Sequence, residues 1–265
     1  MRVFCKWYAR EGCMLLHAPT RGRAIALLRA PCHLREVTDA ATLSPAGFDL
    51  ATPAGRLRAW ANALLVDHGV LRILWRNRAW VVPGLIARSN QPLPWQIAAE
   101  GRAGIRTIIN LRGNRPSCGS DALGREAAAR AGITMIDAPF ESRGAPHRDR
   151  LLRLAGLLET AAMPMLIHCK SGADRAGLIA AVILLLRGES LEAAARQLSW
   201  RFGHVKAGKT GILDLFLARY AAAREASGIG FLDWVREGYD EAALQRDFQA
   251  GRLGSFVTDR LLRRE

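Results

Sequence analysis

Between residues 92 and 188 the apolar positions alternate between short continuous runs and longer, periodic ones. Ile105 to Leu111 is β-branched and almost wholly apolar, as a strand buried on both faces of a parallel sheet must be. Ile133 to Phe140 and Pro164 to His168 are two further short apolar runs that predict strands. Between the runs lie helical patterns. Pro92 to Gly104 has Pro94 near its start and Gly104 at its end, and Asp121 to Ala131 stops at Gly132. Arg148 to Thr160 is amphipathic, with Leu151, Leu152, Leu154, Leu157 and Leu158. Ala176 to Arg187 reads as an apolar, buried helix.

Upstream, Arg56 to Leu65 predicts a helix. Ile73 to Trp75 and Ala79 to Ile86 predict two strands around a polar Arg76-Asn77-Arg78 turn. After residue 188 the pattern is helical only, over roughly 190–202, 210–225, 229–238 and 240–248. This order predicts an α/β fold. A central, mostly parallel sheet is flanked by helices, with right-handed crossovers and extra C-terminal helices. Residues 1–55 carry Pro19, Pro31, Pro45 and Pro53 without clear periodicity, and read as a loosely ordered extension. A central domain over 56–225 and a helical extension over 226–265 complete the organisation.

Composition narrows the class. Half of the 265 residues are hydrophobic and 23% are charged, which excludes a disordered or fibrous chain. The net charge is +14, carried by 34 Arg and 4 Lys. Such a balance favours anionic partners: phosphorylated substrates, nucleic acid or an acidic membrane surface. A high-GC genome enriches Arg and Ala as well. Nucleic acid is disfavoured, because no recognition motif or interleaved basic-aromatic stripe is present. The five cysteines include no Cys-x2-Cys pair and no zinc spacing, so the expectation is a reducing compartment without structural metal. The longest apolar run, Ala176 to Leu186, is 11 residues, too short to span a bilayer. No signal-peptide layout is evident at the N-terminus, and a soluble, cytoplasmic protein is expected. Six tryptophans, Trp60, Trp75, Trp80, Trp95, Trp200 and Trp234, stand near apolar residues and read as core.

The chemistry concentrates in Met165-Leu166-Ile167-His168-Cys169-Lys170-Ser171-Gly172-Ala173-Asp174-Arg175-Ala176-Gly177. An apolar strand ends in His-Cys, five residues separate Cys169 from Arg175, and an apolar helix follows at once. A thiolate is the nucleophilic form of cysteine, and a helix N-terminus with a neighbouring guanidinium stabilises it. Five intervening residues let a loop curl so that its amides point inward around an anion. Gly172 permits the dihedrals of such a curl. Arg175 offers a planar fork to two phosphate oxygens. Lys170, Ser171, Ala173 and Asp174 complete the candidate substrate-binding loop. A bare Cys-x5-Arg occurs by chance in many proteins; the strand, the His, the Gly and the helix make this one specific.

The phrase His168 to Gly177 resembles the signature loop of the cysteine-dependent tyrosine and dual-specificity phosphatases. More narrowly it resembles the bacterial dual-specificity-like members, as do Ile109-Asn110-Leu111-Arg112-Gly113 and Arg88-Ser89-Asn90-Gln91-Pro92. The resemblance spans roughly residues 57–222. It implies a cysteine-phosphatase-like fold and a metal-independent, cofactor-free hydrolysis of a phosphorylated protein or small phosphomonoester. Cys169 would attack phosphorus to form a phosphocysteine, Arg175 would hold the phosphoryl oxygens, and His168 would order the loop without acting as a base.

Two positions depart from the family pattern. Ala176 stands where Ser or Thr is usual, and Asp174 places a negative charge inside an anion-binding loop. Pro139 to His147 resembles the acid-bearing loop of tensin-type lipid phosphatases, whose Asp falls on Ser142. Glu141 is therefore the first candidate acid, with Asp137 and Asp149 as alternatives and Arg143 beside it. A phospholipid or inositol-phosphate phosphatase is the alternative activity. A phosphate-binding pseudophosphatase with little turnover is the alternative of another class.

Overall fold

The structure is a computed structural model that describes residues 47–262. Of the expected N-terminal extension, residues 1–46 lie outside the described residues, with Cys5, Cys13 and Cys32 among them. The first element, α1 (Pro53–Ala61), begins where Thr52 caps it, its hydroxyl accepting from the Gly55 N–H at 3.1 Å. A π-helical turn (Asn62–Val66) and a short helix α2 (Gly69–Leu74) follow.

The sheet then builds from β1 (Ala79–Val82) and β2 (Ile86–Ser89), an antiparallel hairpin. Next come α3 (Pro94–Arg102), β3 (Thr107–Asn110), α4 (Gly119–Arg130), β4 (Thr134–Asp137), α5 (Arg148–Thr160), β5 (Met165–His168) and α6 (Asp174–Leu186). The strand order is β1-β2-β5-β3-β4, and every neighbour after the hairpin is parallel. The expected α/β architecture is thus present, with β5, the last strand in the chain, in the centre.

Alternation along the strands explains the layers. Ile86, Ile109, Met165 and Ile167 face one hydrophobic cluster, shared with α5 and α6. Ala87, Ile108 and Leu166, their immediate neighbours, face a second cluster with Ile97 of α3 and Ala128 of α4. A one-residue slip of β5 would exchange the two faces, so the register that puts His168 beside Asn110 and Ser89 is strongly specified. Helix α6 is buried along ten consecutive residues from Ala176 to Leu185. It packs on the sheet with one face and on later helices with the other, hence its nearly unbroken apolarity. Each fully buried Leu or Ile there contributes about 2 kcal/mol of transfer free energy.

The C-terminal part is helical as expected: α7 (Leu191–Ala195), α8 (Ile212–Ser227), α9 (Phe231–Asp233) and α10 (Glu241–Leu262). Val235, Tyr239 and Leu244 bury in the same cluster as α6. Phe216 meets Phe231 and Tyr239 edge-on, with ring centroids 6.2 and 5.1 Å apart.

Three sequence expectations are corrected. Ala79 to Ile86 is not one strand: the chain turns between Val82 and Ile86, so the hairpin joins β1 to β2 and does not turn at Arg76-Asn77-Arg78. Ile73 and Leu74 close helix α2 and do not form a strand; the apolar run there has no buried face to serve, because Ile73, Leu74 and Trp75 are all exposed. The tryptophans are not mainly core. Trp234 is buried, but Trp75, Trp80, Trp95 and Trp200 are exposed.

Candidate active site

Strands β5, β3 and β4 all point their carboxyl ends to one edge of the sheet, the usual ligand edge of an open α/β fold. There β5 ends at His168, and residues 169–173 bridge to α6. Gly172 sits at φ +77°, and a Cβ at that position would come within 2.6 Å of the Asn90 amide nitrogen. The turn therefore needs glycine for both its dihedral and its clearance.

The carbonyls of this loop are tied outward one after another. Buried His168 gives a 3.4 Å contact from Nδ1 to the Cys169 carbonyl. Burial pushes the His168 imidazolium down to about 3, so the ring is neutral and Nδ1–H donates. Gln91 N–H donates to the Lys170 carbonyl at 3.2 Å. Asn77 Nδ2 donates to the Ser171 carbonyl at 2.9 Å. Arg88 Nη2 donates to the carbonyls of Gly172 and Ala173. A planar trans peptide points its N–H opposite to its C=O. Five carbonyls held outside thus turn the following amides toward the interior of the loop. Gly172 N–H accordingly lies 3.2 Å from Cys169 Sγ.

Arg88 is completely buried on β2, with its guanidinium carbon 3.9 Å from the Phe202 ring centroid. Burial lowers it to about 10, still protonated at neutral pH, with Cys169 and Asp174 opposing the shift. Arg175 opens α6. Its Nη1 reaches the Leu111 carbonyl at 3.5 Å, and its buried Nε has no partner among the described residues.

Asp174 does not turn into the loop. Its Oδ1 lies 2.8 Å from His204 Nδ1, and His204 Nε2 lies 2.7 Å from Asp214 Oδ2. Both ring nitrogens face carboxylates, so both donate and the ring is an imidazolium. Burial alone would lower it, but its bonds to the Asp174 and Asp214 carboxylates raise it to about 9. The negative charge that seemed misplaced in the sequence is neutralised from behind.

Lys170 lies on the loop rim. Its Nζ is 3.3 Å from both Asp67 Oδ1 and His68 Nδ1. Asp67 also accepts from Arg72 and, through both oxygens, from Arg112. Burial would raise its carboxyl, but Arg112 and Arg72 hold it well below the usual carboxylate range. One buried carboxylate among three cations leaves this corner net positive. Ser171 is exposed and its Oγ accepts from Ala173 N–H at 3.3 Å. Ala176 is fully buried.

The candidate acids are placed differently. Glu141 Oε1 pairs with Arg150 and lies 3.5 Å from His147 Nε2, while its buried Oε2 has no partner among the described residues. Asp137 ends β4 and is held by Arg125 at 2.8 Å and by Asn110 at 2.9 Å. Asp149 lies in the first turn of α5. The loop carrying Glu141 is moored by the C-terminal helices. Tyr239 donates its hydroxyl to the Pro146 carbonyl at 2.7 Å, and Gln245 accepts from Ala145 N–H at 3.2 Å. Among the described residues no three His, Cys, Asp or Glu side chains gather as a metal site requires.

Sequence reasoning missed Asn77, Arg88 and His204 as parts of this site. Arg88 lay within a phrase already singled out; the other two carried no local signal.

Comparison with solved structures finds TpbA of P. aeruginosa, 21% identical, over 65% of this chain and 90% of that one, with a TM-score of 0.43. Tk-PTP in its active form is 20% identical over 55% of this chain and 98% of that one, with a TM-score of 0.43. The core catalytic domain of the PP-IP phosphatase SIW14 from S. cerevisiae is 20% identical over 56% of this chain and 93% of that one, with a TM-score of 0.44. Comparison with curated proteins finds no match. The family model described as PTP-SAK, Swiss Army Knife protein, DSP-PTPase phosphatase domain, matches residues 75–210, from just before the β1–β2 hairpin to just before α8; the chain belongs to this family of cysteine-dependent phosphatases.

Proposed function

We propose that this phosphatase hydrolyses phosphomonoesters through a phosphocysteine on Cys169, with phosphotyrosine and other aryl phosphates as its preferred class. The observation that carries the reading is the set of five outward-tied carbonyls around Cys169. The amides they turn inward, apart from Ala173 N–H, which donates to Ser171 Oγ, supply donors for phosphoryl oxygens, and Arg175 adds a charged fork. The Cys169 sulfur attacks phosphorus, the P–O bond to the leaving group breaks, and the leaving oxygen takes a proton. Water then attacks the phosphocysteine, releasing phosphate and the thiolate.

Glu141 supplies the proton in this reading. Asp137 is committed to Arg125 and Asn110, whereas Glu141 keeps one oxygen without a partner among the described residues. Ala176 has no hydroxyl to assist the departing sulfur, so phosphocysteine hydrolysis is the slow step. Purified protein is therefore expected to hydrolyse an aryl phosphate in the presence of a chelator, with a burst, and to be inhibited by vanadate. Retained turnover in Cys169→Ser would overturn the mechanism. A trapped phosphocysteine that never hydrolyses would establish the pseudophosphatase instead. The lipid or inositol-phosphate reading draws on Lys170, whose ammonium lies at the loop rim in a net positive corner. Relative kcat/KM on a phosphotyrosyl peptide and an inositol phosphate separates the two substrate classes.

A further inference from the structure

We propose that residues 65–75, which include α2, and the segment 200–205 form a docking surface for an anionic phospholipid bilayer, beside the phosphate loop. Leu65, Val66, Leu71, Leu74, Trp75 and Trp200 are all exposed, Leu74 to 83% and Trp200 to 80%. Exposed apolar residues are normal singly; this many on adjoining segments is not. The two pieces are continuous. Trp75 lies so close to Gly203 that a Cβ there would approach its ring to 2.7 Å, and Val205 is exposed just beyond.

Both pieces are fastened to the loop that holds Cys169. Asn77 Nδ2 donates to the carbonyls of Ser171 and Phe202, each at 2.9 Å. Lys170 on the loop touches His68, which precedes α2. A plane resting on the apolar residues would therefore bring its own surface groups to the mouth of the loop.

Charge selects the occupant. Across residues 53–80 and 199–209 Asp67 is the sole acidic residue, and it is buried beneath Arg72 and Arg112. Arg58, Arg201, Lys206 and Lys209 are exposed in the same segments. Tryptophan and leucine beside arginine and lysine match the depth profile of an anionic bilayer interface. A second copy would set this basic face against itself. Residues 1–46 are basic too, with seven Lys or Arg against three Asp or Glu. At six residues α2 can rest on a bilayer but not cross it.

The binding claim stands apart from the proposed chemistry; the benefit of docking rests on it. The test is co-sedimentation of the full chain with phosphatidylcholine vesicles, with and without phosphatidylserine. Binding should require phosphatidylserine and weaken with salt. Leu74→Glu with Trp200→Glu should lower it roughly tenfold or more, since two apolar side chains lose their burial. Val66→Glu with Leu71→Glu should give the same loss, and both pairs should hydrolyse a soluble aryl phosphate at the wild-type rate. Absence of wild-type sedimentation, or variants that sediment like wild type, would overturn the proposal. So would sedimentation-velocity evidence that the wild type is a dimer that either pair dissociates. Vesicle binding without any phosphatase activity would instead strike the chemistry and leave the surface standing.

Discussion

Replacing His204 with asparagine removes a cation that two carboxylates share. Its side chain is wholly buried, 2.8 Å from Asp174 and 2.7 Å from Asp214, with Lys206 3.4 Å from the far oxygen of Asp214. In the unfolded chain the imidazole titrates near 6.5; in the fold burial opposes protonation but Asp174 and Asp214 raise it to about 9. The difference, through proton linkage, is worth roughly 3 kcal/mol. The folded state binds the proton more tightly, so the contribution is complete below pH 6.5. It declines above that and is gone once the pH has passed 9. Urea unfolding followed by tryptophan fluorescence between pH 6 and 10 measures it. The stability gap between wild type and His204→Asn should shrink by about 3 kcal/mol across that window. Other groups that titrate there affect both proteins alike and cancel in the gap. Parallel stability curves for the two proteins would refute the shared imidazolium. An unchanged aryl-phosphate rate in the variant would show that the phosphate loop does not depend on it.

Three further outcomes follow from the geometry. Gly172→Ala forces a Cβ onto the Asn90 amide at a left-handed φ, and should cost at least ~100-fold in kcat and abolish vanadate binding measured by calorimetry. Arg88→Lys keeps the charge but cannot reach two loop carbonyls and Gln197 at once. It should destabilise by about 3 kcal/mol in urea and lower kcat, and wild-type values for both would contradict the tethering role. Glu141→Gln should slow an alkyl phosphate by roughly 100-fold but an aryl phosphate much less, because a good leaving group needs less protonation. The same pattern in Asp137→Asn, and not in Glu141→Gln, would move the acid to β4.

The candidate catalytic loop was legible because its determinants are contiguous. A buried strand, a Gly and an apolar helix within residues 165–186 leave few conformations for the five residues between Cys169 and Arg175. The sheet was legible for a similar reason: β3 and β5 are continuously apolar, as central strands must be. What secures the loop from behind was not legible. Asn77 and Arg88 act on backbone carbonyls and His204 on a pair of carboxylates, and each is many residues away from the loop in the chain. Such contacts leave no periodicity. Asp174 showed the gap most clearly, since its charge made sense only once His204 stood beside it. The reading of Ile73 to Trp75 as a strand failed for the opposite reason. Apolar residues predict burial, and here they are exposed.

The mooring of the Glu141 loop sets a limit on how this enzyme can be cut. The family match ends at residue 210, yet Tyr239 and Gln245 hold the backbone at Pro146 and Ala145, and Asp214 completes the pair with His204. On the other side, Asp67 and His68 precede the match and reach Lys170. A fragment trimmed to residues 75–210 would keep every residue that touches phosphate in the proposed mechanism while losing the struts that fix the acid and the loop rim. Interchange of this domain between proteins therefore cannot follow the borders of sequence similarity. Whatever replaces the flanks has to supply its own struts at the same three points.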